Sequence, residues 1–221
     1  MLTQLLTGRL SIEYFISFII ALTLAMTIHE FAHNYIGYRM GDPNPQRTGR
    51  LTLNPLVHIY WPGWLMFIIL GFGILGFAPI DWRRMPIENR RWRWLAAVAA
   101  GPLSNLLLAL IIALILRIIG VGNLVEISRF VVTLLIVIVS VNVLLFVFNL
   151  LPLFPIDGWQ IVWTLLPPDL AYTWDRYKEY TQYAFFGLLL LSFLPGGVIP
   201  NVFGLLIGQP VDFLTNLLLG F

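Results

Sequence analysis

Residues 12–28 are apolar almost without a break, and they run straight on into His29-Glu30-Phe31-Ala32-His33. This continuity constrains the fold more than any other feature of the chain. In lipid every backbone N–H and C=O must be bonded within the protein, and for a single segment only a helix achieves that. Continued to about residue 38, the run predicts a helix of roughly 40 Å, enough to cross a hydrocarbon core of about 30 Å. Gly41-Asp42-Pro43 ends it through backbone freedom and then a missing amide.

The rest of the chain has the same character. Of its 221 residues 59% are hydrophobic and 11% charged, with a mean hydropathy of +0.85. Soluble domains carry about 25% charged residues, so the composition predicts a polytopic membrane protein. No Lys/Arg tract resembles a nucleic-acid surface. The absence of cysteine excludes disulfides, thiol nucleophiles and cysteine-ligated zinc. Residues 1–11 hold one charge, Arg9, and lack a signal-peptide pattern, so the first apolar segment is expected to be a retained span.

Two further spans are predicted at residues 94–119 and 129–150. Between the first and second lie two arginine-rich loops, 39–58 and 81–93, the latter interleaved with Trp82, Trp92 and Trp94. Both belong on the cytoplasmic side. They flank residues 61–80, which are too short to cross twice and are broken by Pro62, Gly63, Gly71, Gly73 and Gly76. A re-entrant or interfacial element is therefore expected there rather than a crossing. Leu51 and Leu53 alternate with polar residues in a way that suggests a short membrane-associated strand. After the third span, Asn149-Leu150-Leu151-Pro152-Leu153-Phe154-Pro155-Ile156-Asp157-Gly158 is proline-broken and leads into a short helix at 159–166. Residues 167–180 are polar. Residues 181–221 are apolar but interrupted at Pro195-Gly196-Gly197 and Pro200, and give one or two spans. The expected architecture is an all-α polytopic protein of about five to six transmembrane helices. It forms a single integral membrane domain over 1–221, with a motif-bearing core at 12–166 and variable spans at 181–221. There is no internal repeat.

His29 and His33 stand four apart, so both imidazoles lie on one helix face with Glu30 beside them. In His-Glu-x-x-His the histidines hold zinc and the glutamate handles a proton on water. Catalytic zinc usually takes three protein ligands. The third has candidates in Asp157, His58 and the other carboxylates. Asp157 is best placed, because the spans return it to the depth of His29, about 25 Å along the first helix. Its structural alternative is an N-cap on the following helix. His58 is read as a ligand, an oxyanion donor or an interfacial histidine. Asn149 and Asn105 are amides in or beside apolar spans, suited to an oxyanion contact or to bonding between helices. The arginines are read as topology determinants, with anionic lipid as a secondary partner.

Three motifs in order, His29-Glu30-Phe31-Ala32-His33, Gly101-Pro102-Leu103-Ser104-Asn105 and the segment from Asn149 to Gly158, resemble those of the site-2 protease family of intramembrane zinc metalloproteases. The similarity is to the compact prokaryotic type without a PDZ domain. Residues 49–58 resemble a segment found in part of that family. Trp159-Gln160 departs from it, where many members carry a second glycine and an arginine. The resemblance implies Zn2+ held by His29, His33 and Asp157, water activation by Glu30, and contact of Asn149 with substrate backbone or oxyanion. It implies an endopeptidase that cleaves transmembrane segments of membrane proteins in regulated intramembrane proteolysis. The partners would be transmembrane protein substrates and the lipid bilayer, with no nucleic acid. The site would face the cytoplasmic side of a multi-pass cell-membrane protein. Two other readings use the same residues: a catalytically inactive membrane scaffold, and an ion or metal transporter with intramembrane His, Glu and Asp relays. Intact Glu30 disfavours the first, and the lack of repeated halves disfavours the second.

Overall fold

A computed structural model describes residues 11–70, 73–191 and 204–220. The first apolar run forms α1, Ile12–Arg39, a helix of 28 residues. Ser11 caps it by accepting the amide of Tyr14 at 3.2 Å, and Glu13 in the first turn complements the helix dipole. Inside the run, the hydroxyls of Thr23 and Thr27 donate to the carbonyls of Ile19 and Thr23, so neither is left unbonded among apolar neighbours. The helix closes at Gly41, whose φ of +105° and contact with Pro86 leave no room for a side chain.

Short helices α2 (Asn44–Arg47), α3 (Pro55–His58) and α4 (Trp61–Leu70) follow, then a 3₁₀ turn at Trp82–Arg84. Helix α5 spans Arg90–Ile119, four residues earlier than the expected start at Trp94. A short α6 (Val121–Ile127) leads to α7, Arg129–Asn149. Beyond it lie α8 (Asp157–Leu165), α9 (Pro168–Arg176), α10 (Lys178–Leu191) and, after a π turn at Gly204–Gly208, α11 (Gln209–Leu219).

Helices α1, α5 and α7 pack pairwise into one bundle. Ala21, Leu22 and Ala25 of α1 meet Val137, Ile138 and Val141 of α7, while Ala109, Ala113 and Leu116 of α5 meet Val139 and Val143. Small side chains at these contacts bring the helix backbones close, as membrane bundles require. The outer faces carry Ile16, Ile20, Leu24, Leu103, Leu107 and Leu114, all exposed. Such a face would be an aggregation liability in water and is the expected surface in lipid. Among the described residues, these three helices are long and apolar enough to cross a membrane. Helices α10 and α11 have 14 and 11 residues, so the expected count of five to six spans is not reached there. The breaks at Pro195-Gly196-Gly197 and Pro200 lie outside the described residues.

The segment after α3 doubles back. Helix α4 has 10 residues, roughly 15 Å, about half of a hydrocarbon core. The chain then returns so that Gly76 forms an antiparallel bridge with Ile59, and the amide of Tyr60 donates to the carbonyl of Leu75 at 2.9 Å. A Cβ on Gly63 would overlap the carbonyl of Ile74, and one on Gly73 that of Gly63. Those glycines exist so that the two limbs can touch. The expected strand at Leu51–Leu53 is not formed. Leu51 and Thr52 are bends, Asn54 caps α3 through the amide of Leu56, and the Thr52 carbonyl is taken by His58. The alternation there reflects a cap and a turn, with no partner strand alongside among the described residues.

The two polar loops are tied together by Asp42, which is fully buried. Its carboxylate accepts from Arg84 Nε at 2.7 Å and Nη2 at 3.0 Å, and from the amides of Asn44 and Asp81. Burial by itself pushes the Asp42 pKa up, but the Arg84 guanidinium and the two amides outweigh it and hold the carboxyl below its ordinary value. Arg84 is thus a structural partner of the buried carboxylate.

Candidate metal centre

Helix α1 places His29 and His33 one turn apart, both buried. Their Nε2 atoms lie 3.0 Å from each other. Asp157, the first residue of α8, brings Oδ2 to 3.2 Å from His29 Nε2 and 3.1 Å from His33 Nε2. The structure therefore joins two elements more than a hundred residues apart. Asp157 does not cap α8. Ile156 occupies that position, and the Asp157 carboxylate is directed at the histidines. Gly158 makes room for the carbonyls of Leu150 and Leu151, letting α8 start hard against the end of α7.

The outer hydrogen bonds fix the tautomers. His33 Nδ1 lies 2.8 Å from the carbonyl of Ala97, which can only accept, so Nδ1 carries the proton. His29 Nδ1 lies 2.7 Å from Asn105 Oδ1. The Asn105 amide is oriented by its Nδ2, which donates to the Ala25 carbonyl at 3.0 Å and to Asn142 Oδ1 at 2.9 Å. Its oxygen must therefore face His29, and His29 Nδ1 is the donor. Neutral imidazoles in these tautomers aim two Nε2 lone pairs and a carboxylate oxygen at one point. Three acceptors within 3.2 Å of one another cannot satisfy each other and call for a cation. Tetrahedral zinc with bonds of about 2.0–2.1 Å has ligand edges of about 3.3 Å, so the donor set fits it.

Helix α5 supports the pair through one stripe. Ala97 supplies a carbonyl, Asn105 an amide, and Gly101 between them supplies space. A Cβ on Gly101 would overlap His33 Nε2 and Cε1 and His29 Cε1. Gly101→Ala is accordingly expected to splay the two rings while leaving α5 helical. Zinc affinity measured by chelator competition should drop by at least the ~10–100-fold that outer-shell changes cost.

Glu30 is buried at the same level, within electrostatic reach of His29, His33, Asp157 and His58. Its Oε2 has no hydrogen-bond partner among the described residues. An unpartnered buried carboxylate oxygen is costly, so its retention beside the histidines points to an external partner such as water. Gly76, on the returning limb after α4, lies directly against the Glu30 side chain, where any Cβ would sit 3.0 Å from Oε1.

The other expected residues are placed differently. Asn105 spends both N–H groups on Ala25 and Asn142, so it orients His29 and has no donor left for an oxyanion. Asn149 donates Nδ2 to the Leu145 carbonyl of its own helix at 2.9 Å. His58 is buried and lies outside the metal-ligating group, with Nε2 donating to the Thr52 carbonyl at 2.8 Å and Nδ1 without a partner among the described residues. Asn142 was missed. It stands fully buried in α7 and extends the chain of amides behind His29.

No family model matches the chain, and no solved structure does. The chain is 34% identical over 182 residues, 81% of each chain, to a Bacillus subtilis (strain 168) protein named "Putative zinc metalloprotease YwhC".

Proposed function

We propose a specific reading of a general fact: this chain belongs to the metalloprotease family of YwhC, and it acts as an intramembrane zinc endopeptidase of the site-2 type. The observation that carries the reading is the position of the ligands. His29, Glu30 and His33 sit within α1, one of the three helices long and apolar enough to cross a membrane. A metal centre built there meets peptide bonds that lie within or near lipid.

His29, His33 and Asp157 would hold the ion. Bound zinc would polarise the scissile carbonyl and acidify water. Glu30 Oε2, without a hydrogen-bond partner among the described residues, takes the proton from the attacking water and passes it to the departing amide nitrogen. Asn105 and the Ala97 carbonyl hold the imidazole rings in the ligating tautomer through these steps. The substrate must be unwound locally, since carbonyls of an intact helix are already bonded. The limb from Gly73 to Phe77 runs beside Glu30 at Gly76, and an extended substrate segment laid along it would present its backbone to the carboxylate. Asn149 retains one amide N–H and is assigned to the substrate backbone. The site lies about 15 Å from the Arg39 end of α1, so water enters from that end, which the arginine distribution assigns to the cytoplasm.

The test uses purified protein reconstituted in liposomes with a single-span polypeptide whose helix is interrupted at its middle. Cleavage within the span is expected, lost on chelation and restored by zinc. Cleavage confined to soluble extended peptides would overturn the intramembrane assignment while leaving the metallopeptidase intact.

A further inference from the structure

A second polar feature lies at the foot of α5, away from the metal centre. A cavity of about 660 Å³ is lined by Arg90, Arg91, Trp82, Trp92, Trp163 and Asp175 among others. Among the described residues neither arginine forms an ion pair; the recorded pairs involve Arg83, Arg84 and the two site histidines. Arg90 gives Nε to the Met85 carbonyl and lies over the Trp82 ring at 5.7 Å. Arg91 gives Nε and Nη2 to the carbonyls of Thr164 and Trp163. Neutral carbonyls anchor the side chains without cancelling their charge, and each guanidinium keeps N–H donors in reserve. No acidic residue stands in the first turn of α5 to offset them. The cavity wall therefore carries two fixed positive charges and one carboxylate, Asp175, with which neither arginine forms an ion pair.

Its rim is apolar. Trp92 is 61% exposed and Ile87 74% exposed, at the end of a helix apolar enough to span lipid. Indoles at a span end sit at headgroup level. We infer that this cavity binds the phosphate of an anionic glycerophospholipid, with Arg90 and Arg91 on the phosphate and Trp92 and Ile87 against the upper acyl chain. Free phosphate shares the headgroup chemistry but would leave that apolar rim uncovered. The inference does not depend on the protease reading. Arg91 also links the cavity to the metal centre, because the carbonyls it holds end α8, the helix that begins with Asp157.

The test is native mass spectrometry of the full chain released from nanodiscs of equimolar phosphatidylcholine and phosphatidylglycerol. The wild type is expected to retain phosphatidylglycerol over phosphatidylcholine by about fivefold or more, and Arg90→Gln to lose about that factor. Arg83→Gln is expected to retain the preference, since that guanidinium is committed to Asp81. Asp175→Asn should raise the preference. Its side chain is exposed and makes no ion pair among the described residues, so this variant decides the matter even if Arg90→Gln fails to fold. Equal retention of the two lipids by the wild type, or an Asp175→Asn variant with no gain, overturns the proposal. Displacement of phosphatidylglycerol by millimolar inorganic phosphate would assign the cavity to free phosphate and overturn the lipid assignment.

Discussion

Glu30→Gln is expected to bind zinc as the wild type does and to cleave a reconstituted transmembrane substrate about 10²–10⁴-fold more slowly, the range over which a general base contributes. The separation follows from the geometry. None of the three converging donors belongs to Glu30, so the amide leaves the ligand set intact. Gln and Glu have nearly the same shape, so the close fit against Gly76 is kept. What is lost is the lone pair on Oε2, the buried oxygen without a partner among the described residues. A carboxamide nitrogen at that place cannot take a proton from water. Zinc stoichiometry and single-turnover cleavage measured on the same preparation check the two halves together. Wild-type cleavage by the variant would remove Glu30 from the reaction, and loss of zinc would show that it supports the metal instead.

How far this site was legible in the sequence depended on the range of each contact. His29, Glu30 and His33 share one helical turn, so their arrangement follows from spacing alone. Asp157 was reachable because the order of long apolar segments is also a sequence property: two such helices after α1 bring the chain back to His29 and His33. The supporting residues had no such signature. The Ala97 carbonyl is backbone, and Gly101 acts by what it lacks. Both matter only because α5 crosses α1 at that point, which no local pattern encodes. Asn142 was detectable in principle. It is a buried amide in a valine-rich span, seven residues before Asn149 and two turns away on the same face, and the rule that singled out Asn149 applies to it equally. The structure gives Asn142 the link to the site and leaves Asn149 bonded to its own helix.

Residues 61–80 show a related limit. Their glycines and Pro62 read as breaks, and the conflict between two arginine-rich flanks argued against a crossing. That Gly63 and Gly73 serve mutual contact, and Gly76 contact with Glu30, emerges only when the limb is seen folded back. The strand expected at Leu51–Leu53 failed for the converse reason, because two-residue alternation is too short to separate a strand from a capped turn.

Asp157→Ala is the complementary change, and its expected effect falls on the metal. Removing Oδ2 leaves two imidazoles, one ligand short of the usual protein set. Zinc affinity should therefore fall by more than the ~10–100-fold that an outer-shell substitution costs. The fold should tolerate the loss. Ile156 rather than Asp157 sits at the N-cap of α8, and helix α8 remains fixed at its far end by Arg91 on the carbonyls of Thr164 and Trp163. What α8 forfeits is one acidic residue in its first turn, worth about 0.3–1 kcal/mol. A thermal melt in chelator that matches the wild type to within a few degrees, together with collapsed zinc binding, is the predicted pair of results. The comparison in chelator matters, because bound metal would itself raise the wild-type midpoint. Unchanged zinc stoichiometry and affinity would remove Asp157 from the ligand set, and the convergence of α8 on α1 would then need a different cause.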